Sequence, residues 1–346
     1  MFRMSPNRAK AHVQPPSGET VLPILYNALP YSAPLYGRLR FHHRSPSSHV
    51  FASFPPSLQS VNLDNSMIPR CYAIAFLDRT RRPETECWLF TSGEVPNRCS
   101  LSSQAKHCDD CKAALVAVLD AVFSSNVPES NHSAETMKQA SPEMQRALKG
   151  EIMLLGAVNE VTAKIVWEAT ANTSTSAPAD RAEVPYLKYL FRPEALPRSQ
   201  DLPTGFKWGK VRREEFALVR SRTSIPRQDQ TLTLLPSMAI FPDDGENHAP
   251  IAWAFLGPDG SLISLHTEPE FRGKGFAKSL ASKLFREGDF VTQTKSNPAY
   301  STVWYHADVA LDNNSSRRVC KGLGGEEAWI VYWIRVDLKA LKDPIC

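Results

Sequence analysis

The sequence predicts an α/β fold in two domains, and three observations carry that expectation. Its 346 residues exceed the roughly 250–300 at which a single hydrophobic core stops growing. From Phe206 onward, short strand and helix signals alternate. Within that region, residues 262–284 read as a strand, a glycine-containing turn and a helix with one apolar line, an order that aims backbone amides at an anion.

Composition narrows the function classes. An apolar content of 42% with nine Tyr, sixteen Phe and seven Trp is that of an ordinary globular protein. Forty Lys plus Arg against thirty-six Asp plus Glu leave a net charge of only +4, and no groove-reading helix or aromatic stacking array accompanies it, so nucleic acid is not an expected partner. Neither a run of about eighteen apolar residues nor the apolar stretch of a secretory signal occurs, so no membrane association is expected. The expected compartment is the cytoplasm. A mitochondrial leader is disfavoured because Pro6, Pro15 and Pro16 interrupt a helix in the basic stretch holding Arg3, Arg8 and Lys10.

Seven cysteines scattered along the chain fit a reducing compartment without disulfides. Cys108 and Cys111 form a lone C-x-x-C with Cys87, Cys99 and His107 as conceivable zinc partners. Their unequal intervals do not resemble paired knuckles, so no metal is expected, and the thiols read as the lining of a helix through Ala114, Leu115, Val118, Leu119 and Val122.

In chain order, residues 1–19 read as a flexible tail and 20–170 as a first domain. Within it, 72–77 and 87–90 form a hairpin around a turn whose Arg79, Arg81 and Arg82 read as solvated. Apolar spacing predicts one helix over 102–123 and a second from Met144 through Ile165, the latter capped by Ser141 with Pro142 at its first position. Residues 171–202 read as a connecting region. The second domain, 203–346, holds strands near 206–211, 237–241, 251–256 and 262–267 and a helix over 214–220. Pro258, Asp259 and Gly260 make the last two of those strands an antiparallel pair.

After His266 and Thr267 the chain reads Glu268, Pro269, Glu270, Phe271, Arg272, Gly273, Lys274, Gly275, Phe276, Ala277. The glycines permit a tight turn, Arg272 and Lys274 add positive charge, and the helix beginning here directs open N–H groups at a ligand. A dinucleotide fingerprint is excluded by Lys278 at its third glycine position, and the Gly-Lys-Ser/Thr ending of a nucleotide loop is absent.

Arg272, Gly275 and Ala277 match the Arg-x-x-Gly-x-Gly/Ala motif of the GCN5-related N-acetyltransferase superfamily, which the chain resembles from residue 203 onward and most densely over 237–336. Asn313, Ser316 and Cys320 stand for its Asn-x-x-Ala-x-x-x-Tyr element, and Gly322, Leu323, Gly324 and Gly325 resemble its terminal turn. Ala33, Pro34, Leu35, Tyr36 and Gly37, with the 72–90 hairpin, look like the glycine N-acyltransferase-like and FR47-like branch, whose first half is a degenerate copy of the same fold. The resemblance implies an acyl-CoA N-acyltransferase fold with a mixed sheet, as two tandem domains of which only the second retains the cofactor loop.

It also implies a site. Acetyl-CoA or another acyl-CoA would lie on backbone groups of Leu265 and Thr267, on Arg272, Gly273, Lys274, Gly275, Phe276 and Ala277, and beside Asn313 and Ser316. The amine of a small or amino-acid-like acceptor would attack directly in a ternary complex. His266 is the first candidate base, since a neutral imidazole is available at cellular pH. His306 and Asp308 share a strand face, where an acid can orient a histidine or simply hydrogen-bond to it. Glycine acyltransferases carry an acid where this chain has Ser261, and Glu268 or Glu270 either compensates or faces solvent. Cys320 replaces the tyrosine that protonates the departing thiolate in relatives, or packs with Val319 and Leu323. Trp304, Tyr305, Trp329, Tyr332 and Trp333 shape an acceptor cavity or belong to the core. Two further functions stay open beside this one: acetylation of protein amines, and CoA binding by a catalytically decayed module. Oligomeric state is not legible.

Overall fold

The computed structural model describes residues 9–56, 69–99, 105–129, 133–171, 184–199, 201–223, 225–244, 248–287 and 304–341. They fall into two compact units, one of Met1–Val184 with Val331–Cys346 and one of Pro185–Ile330.

The first unit runs β1 (His12–Gln14), α1 (Leu22–Asn27), α2 (Ala33–Arg40), β2 (His49–Ala52), β3 (Ala73–Leu77), β4 (Cys87–Thr91), α3 (Asp109–Phe123), α4 (Ala134–Gln139), α5 (Pro142–Leu148), β5 (Ile152–Asn159) and α6 (Glu160–Ala169). Strands β1 to β4 pair antiparallel in sequence order, β4 and β5 pair parallel, and residues 331–337 from the end of the chain pair antiparallel with β5. β3 is buried along its whole length, because alternate side chains serve two cores. Ile74 and Phe76 pack with Ile24, Leu25, Leu35 and Leu39 of α1 and α2, whereas Ala73, Ala75 and Leu77 join Leu115, Val118 and Val122 of α3.

Several expectations need correction here. The pattern from Met144 to Ile165 is a helix, a strand and a helix. Ser141 does cap α5, accepting from the Met144 N–H at 3.2 Å, but Gly150 at φ +76° ends that turn, and the apolar run of β5 is a central strand. A short, doubly buried strand has no period that distinguishes it from a buried helix. Residues His12–Gln14, assigned to the tail, pair with β2, and Gln14 Nε2 donates to the Phe54 carbonyl at 2.7 Å. Arg79 and Arg82 are each 2% exposed rather than solvated. Arg79 holds Glu86 at 2.9 Å and donates to the Gly150 carbonyl at 2.7 Å, and Arg82 donates to the carbonyls of Leu148 at 2.8 Å and Pro128 at 2.7 Å. Burial nonetheless pushes Glu86 up to about 7, against the pull of Arg79.

The cysteines are also arranged differently. Cys71, Cys99, Cys108 and Cys111 bring their Sγ atoms within 4.8 Å of one another. Cys87 lies apart in the apolar core, and His107 Nε2 faces Thr91 Oγ1 at 2.6 Å.

The second unit contains β6 (Tyr186–Phe191), β7 (Phe206–Gly209), α7 (Phe216–Ser221), α8 (Asp229–Leu234), β8 (Ser237–Pro242), β9 (Ala252–Leu256), β10 (Leu262–Thr267), α9 (Phe276–Glu287), β11 (Tyr305–Ala310), α10 (Asn314–Gly322) and the first residues of β12 (Glu326–Asp337). β7 to β10 form an antiparallel sheet in sequence order. β6 lies in what the sequence presents as a connecting region, yet it pairs with β11 along its full length, from Tyr186 opposite Ala310 to Phe191 opposite Tyr305. α9 packs on β8, β9 and β10 through Phe276, Leu280, Ala281 and Leu284. Among the described residues, no helix is long and apolar enough to cross a membrane.

Candidate active site

β9 and β10 are joined as the sequence predicts, by a turn in which Gly260 takes φ +83° and the Gly257 N–H meets the Ser261 carbonyl at 2.7 Å. β10 then departs from regular pairing. Ile263 stands opposite Phe255 and His266 opposite Trp253, so Ser264 and Leu265 together oppose the single residue Ala254. Ser264 has φ +52°. Such a bulge frees strand amides and carbonyls from the ladder, at the residues expected to meet the pantetheine arm.

The strand ends in a tight turn over Pro269–Phe271 and in two glycines of positive φ, Gly273 at +78° and Gly275 at +80°. A Cβ on Gly273 would meet nothing within 4 Å, so the glycine is required by conformation alone and the space over the turn is open. Arg272, Gly273, Lys274 and Gly275 are all exposed. Arg272 Nε donates to the Thr267 carbonyl at 2.9 Å, tying the turn to the end of β10. Phe276 is buried, edge-on to Phe206 at 5.1 Å, so only its backbone is available to a ligand. The first amides of α9 have no acceptor within the helix, and the buried Thr267 Oγ1 has no hydrogen-bond partner among the described residues. Open amides, two cations and an orphaned hydroxyl fit the phosphates and amide arm of CoA.

β10 and β11 meet in parallel at one bridge, Ser261 with His306, and otherwise belong to different sheets. At that bridge lies a buried polar cluster. Lys188 Nζ lies 2.6 Å from Asp308 Oδ1 and 3.2 Å from His306 Nδ1, while His306 Nε2 lies 3.1 Å from the Asp259 carbonyl. With its proton on Nε2, His306 donates to that carbonyl and accepts from Lys188. Burial pushes Asp308 up, but the Lys188 ammonium outweighs it and holds the carboxyl at about 2. His306 and Asp308 thus do share a strand face, and Lys188, which the sequence reading missed, engages both. A lysine in an apolar strand, YLKYLF, was the signal: buried lysines require a partner. The Asp259 carboxylate meanwhile accepts from Ser261 Oγ at 2.5 Å and from its N–H at 3.1 Å.

His266 is stacked on Trp253, with ring centroids 4.7 Å apart, and its Nε2 is 3.4 Å from Glu268 Oε2. Glu268 is itself held by Arg222 Nε at 3.0 Å, whereas Glu270 is exposed. Burial lowers the His266 pKa below its ordinary value, and Arg272 and Arg222 add to the effect while Glu268 opposes it. The ring is therefore neutral at pH 7.

α10 begins as expected. Asn313 caps it, its Oδ1 accepting from the Ser316 N–H at 3.0 Å. The helix ends with Gly324 at φ +78°, whose N–H meets the Lys321 carbonyl at 3.0 Å while the Gly325 N–H meets that of Cys320 at 2.9 Å, a Schellman closure. Asn313→Ala is expected to lower stability by about 1 kcal/mol, read as a shift in the urea midpoint, with Asn313→Asp close to wild type. Cys320 is buried, and burial together with the Asp308 charge pushes its thiol up to about 12. It is a weak acid in this setting, and Leu323 one turn on is likewise buried.

A bulged strand that diverges from its parallel neighbour and runs into a cationic glycine turn and a helix amino end defines an acyl-CoA N-acyltransferase. Two family models match the chain: "Acyl-CoA N-acyltransferase verG N-terminal domain" over residues 8–189 and "FR47-like protein" over 243–334. The first spans more than half of the 346 residues, and the chain belongs to this verG-type family of acyl-CoA N-acyltransferases, within the GCN5-related superfamily and its FR47-like branch. It is an enzyme built from two domains of that fold. No curated protein matches it. Among solved structures, a Drosophila protein is 15% identical and covers 94% of this chain and 98% of its own, with a TM-score of 0.57. A tandem GNAT protein from the clavulanic acid biosynthesis pathway is 11% identical, with 95% and 99% covered and a TM-score of 0.40. A GCN5-related N-acetyltransferase from Sphaerobacter thermophilus is 8% identical, with 97% of each chain covered and a TM-score of 0.44. Of these three, the first carries weight, and for the fold alone.

Proposed function

We propose that the second unit transfers the acyl group of acetyl-CoA to the amine of a small, amino-acid-like acceptor by direct attack. The observation that supports this most is the continuous run from the β10 bulge at Ser264 and Leu265, through the orphaned Thr267 hydroxyl, to the open Arg272–Gly275 turn. When bound, the thioester supplies an already activated carbonyl. The chain's task is then to bind, orient and take up one proton. The amides of Gly273 to Ala277 hold the pyrophosphate, with Arg272 and Lys274 adding charge, and Leu265 and Thr267 present backbone groups to the arm. Asn313 and Ser316 set the start of the flanking helix. His266 accepts the proton of the attacking amine, and Trp253 fixes the ring plane. The buried cluster of Lys188, His306 and Asp308 holds the point where β10 and β11 meet.

The test is the paired binding of CoA and of dephosphorylated pantetheine to wild type and to the Arg272→Ala/Lys274→Ala variant by calorimetry. The variant is expected to lose roughly 5- to 150-fold in CoA affinity, as for lost charge-assisted contacts of about 1–3 kcal/mol, and little for pantetheine. An equal loss for both ligands rejects the phosphate role. Failure of wild type to bind CoA rejects the site. A screen of amines and amino acids with acetyl-CoA, set beside a peptide panel, identifies the acceptor class, and turnover of peptides alone overturns the small-molecule reading.

A further inference from the structure

In the first unit, remote from any residue of the proposed acyl-transfer site in sequence, four thiols meet from three separate segments. Cys71 lies two residues before β3, Cys99 follows the turn after β4, and Cys108 and Cys111 are the cap and a first-turn residue of α3. The Sγ atoms of Cys71 and Cys108 are 3.3 Å apart, those of Cys99 and Cys111 3.0 Å, and those of Cys71 and Cys99 3.9 Å, with all six separations inside 4.8 Å. A tetrahedron with metal–sulfur bonds of about 2.3 Å has edges of about 3.8 Å, and the four sulfurs stand at separations near that edge, so that small side-chain shifts would set them around one ion. None of the four is disulfide-bonded.

Packing alone does not account for the arrangement. Cys87 shows what a packed thiol looks like in this unit: it is fully buried among the side chains of the sheet core. The four clustered thiols instead touch one another and Ser92 Oγ, which lies 3.4 Å from Cys111 Sγ and 3.9 Å from Cys99 Sγ. Three of them are partly exposed, giving an ion a path in. The segments holding Cys71 and Cys99 are locked to each other one residue upstream. Arg70 Nε donates to the Arg98 carbonyl at 3.0 Å, and Arg98 Nε returns a contact to the Arg70 carbonyl at 3.4 Å. The amino end of α3, at Cys108 and Cys111, favours the negative charge of a four-thiolate zinc centre.

We propose that Cys71, Cys99, Cys108 and Cys111 bind one zinc ion in a closed, structural site that staples the start of β3 and the turn after β4 to the amino end of α3. Four sulfur ligands in tetrahedral array select zinc among the common divalent ions, and with no coordination position left for water the ion does no chemistry on substrate. Binding converts four thiols to thiolates and releases four protons.

The full chain, purified without chelator or tag-bound metal, is expected to carry about one zinc per molecule by elemental analysis, and Cys71→Ser and Cys99→Ser to bring this below roughly a tenth. Wild-type protein refolded with cobalt alone is expected to show the intense thiolate-to-cobalt charge transfer and the visible bands of a tetrahedral four-sulfur centre. That measurement stands even if the serine variants do not fold. Zinc-free protein whose four cysteines all alkylate under native conditions overturns the proposal. So does an intact mass lowered by two disulfides, for which the pairs Cys71 with Cys108 and Cys99 with Cys111 are the closest, and so does iron in place of zinc.

Discussion

His266→Gln is expected to slow the acyl-transfer step roughly 10²- to 10⁴-fold, or about 3–5 kcal/mol of barrier, while CoA affinity stays near that of wild type. Glutamine keeps much of the size that packs on Trp253 but cannot take the amine's proton, and the proposed phosphate contacts belong to the turn beyond Thr267. Single-turnover transfer at saturating substrate is the appropriate measurement, because product release masks a slowed chemical step in steady state. The pH profile supplies a second readout. Burial, with Arg272 and Arg222, sets the His266 pKa below 6.5 against the pull of Glu268. The base is therefore present at neutral pH, and the wild-type rate should be level there and fall as pH drops through that lowered pKa. The glutamine variant should lack this limb. Recovery of rate by added imidazole in His266→Ala would tie the loss to proton removal and not to a displaced acceptor. Chemistry unchanged from pH 6 to 9 in His266→Gln would remove His266 from the mechanism.

Lys188→Met should cost about 3–5 kcal/mol of stability, because it leaves the Asp308 carboxylate buried without its cation. The side chains of Lys188 and Asp308 are 0% and 4% exposed, so water cannot take the place of the ammonium. Adding Asp308→Asn in the same chain removes the stranded charge and should restore much of the loss, whereas two independent structural contributions would simply add. Urea unfolding of the two single variants and the double variant checks this, and a wild-type midpoint for Lys188→Met would show that the pair contributes nothing. The sign of the pH dependence follows from the direction of the shift. Asp308 titrates at about 2 when folded, below its ordinary 3.8, so its contribution is fully present above pH ~4 and is lost as pH falls through 2. On that basis wild type should lose on the order of 2 kcal/mol across this window beyond what Lys188→Met/Asp308→Asn loses.

Wherever one segment carries a complete local signal, the sequence was sufficient. The Pro258, Asp259 and Gly260 turn, the strand leading to Thr267, the positive-φ glycines at 273 and 275, the α9 stripe, the Asn313 cap and the terminal turn at Gly324 are all local devices, each within a few residues of its cause. The same holds for the Ser141 cap, but not for the strand that follows it: β5 is buried on both faces, and burial erases the alternation by which a strand is read. Side chains whose partners are distant in sequence were not legible at all. Arg79 and Arg82 read as solvated because their acceptors, the carbonyls of Gly150, Leu148 and Pro128, lie 46 to 71 residues away. Lys188 read as part of a connection because Asp308 is 120 residues away. Cys108 and Cys111 read as helix lining because nothing in their spacing points to Cys71, 37 residues upstream of Cys108. By itself the sequence determined the class of enzyme and the local geometry of the glycine turn that follows the strand carrying His266. Only the tertiary structure decided which buried charges are paired and which thiols meet, since the free energy of a charge or a thiolate depends on what the fold brings within a few ångströms of it.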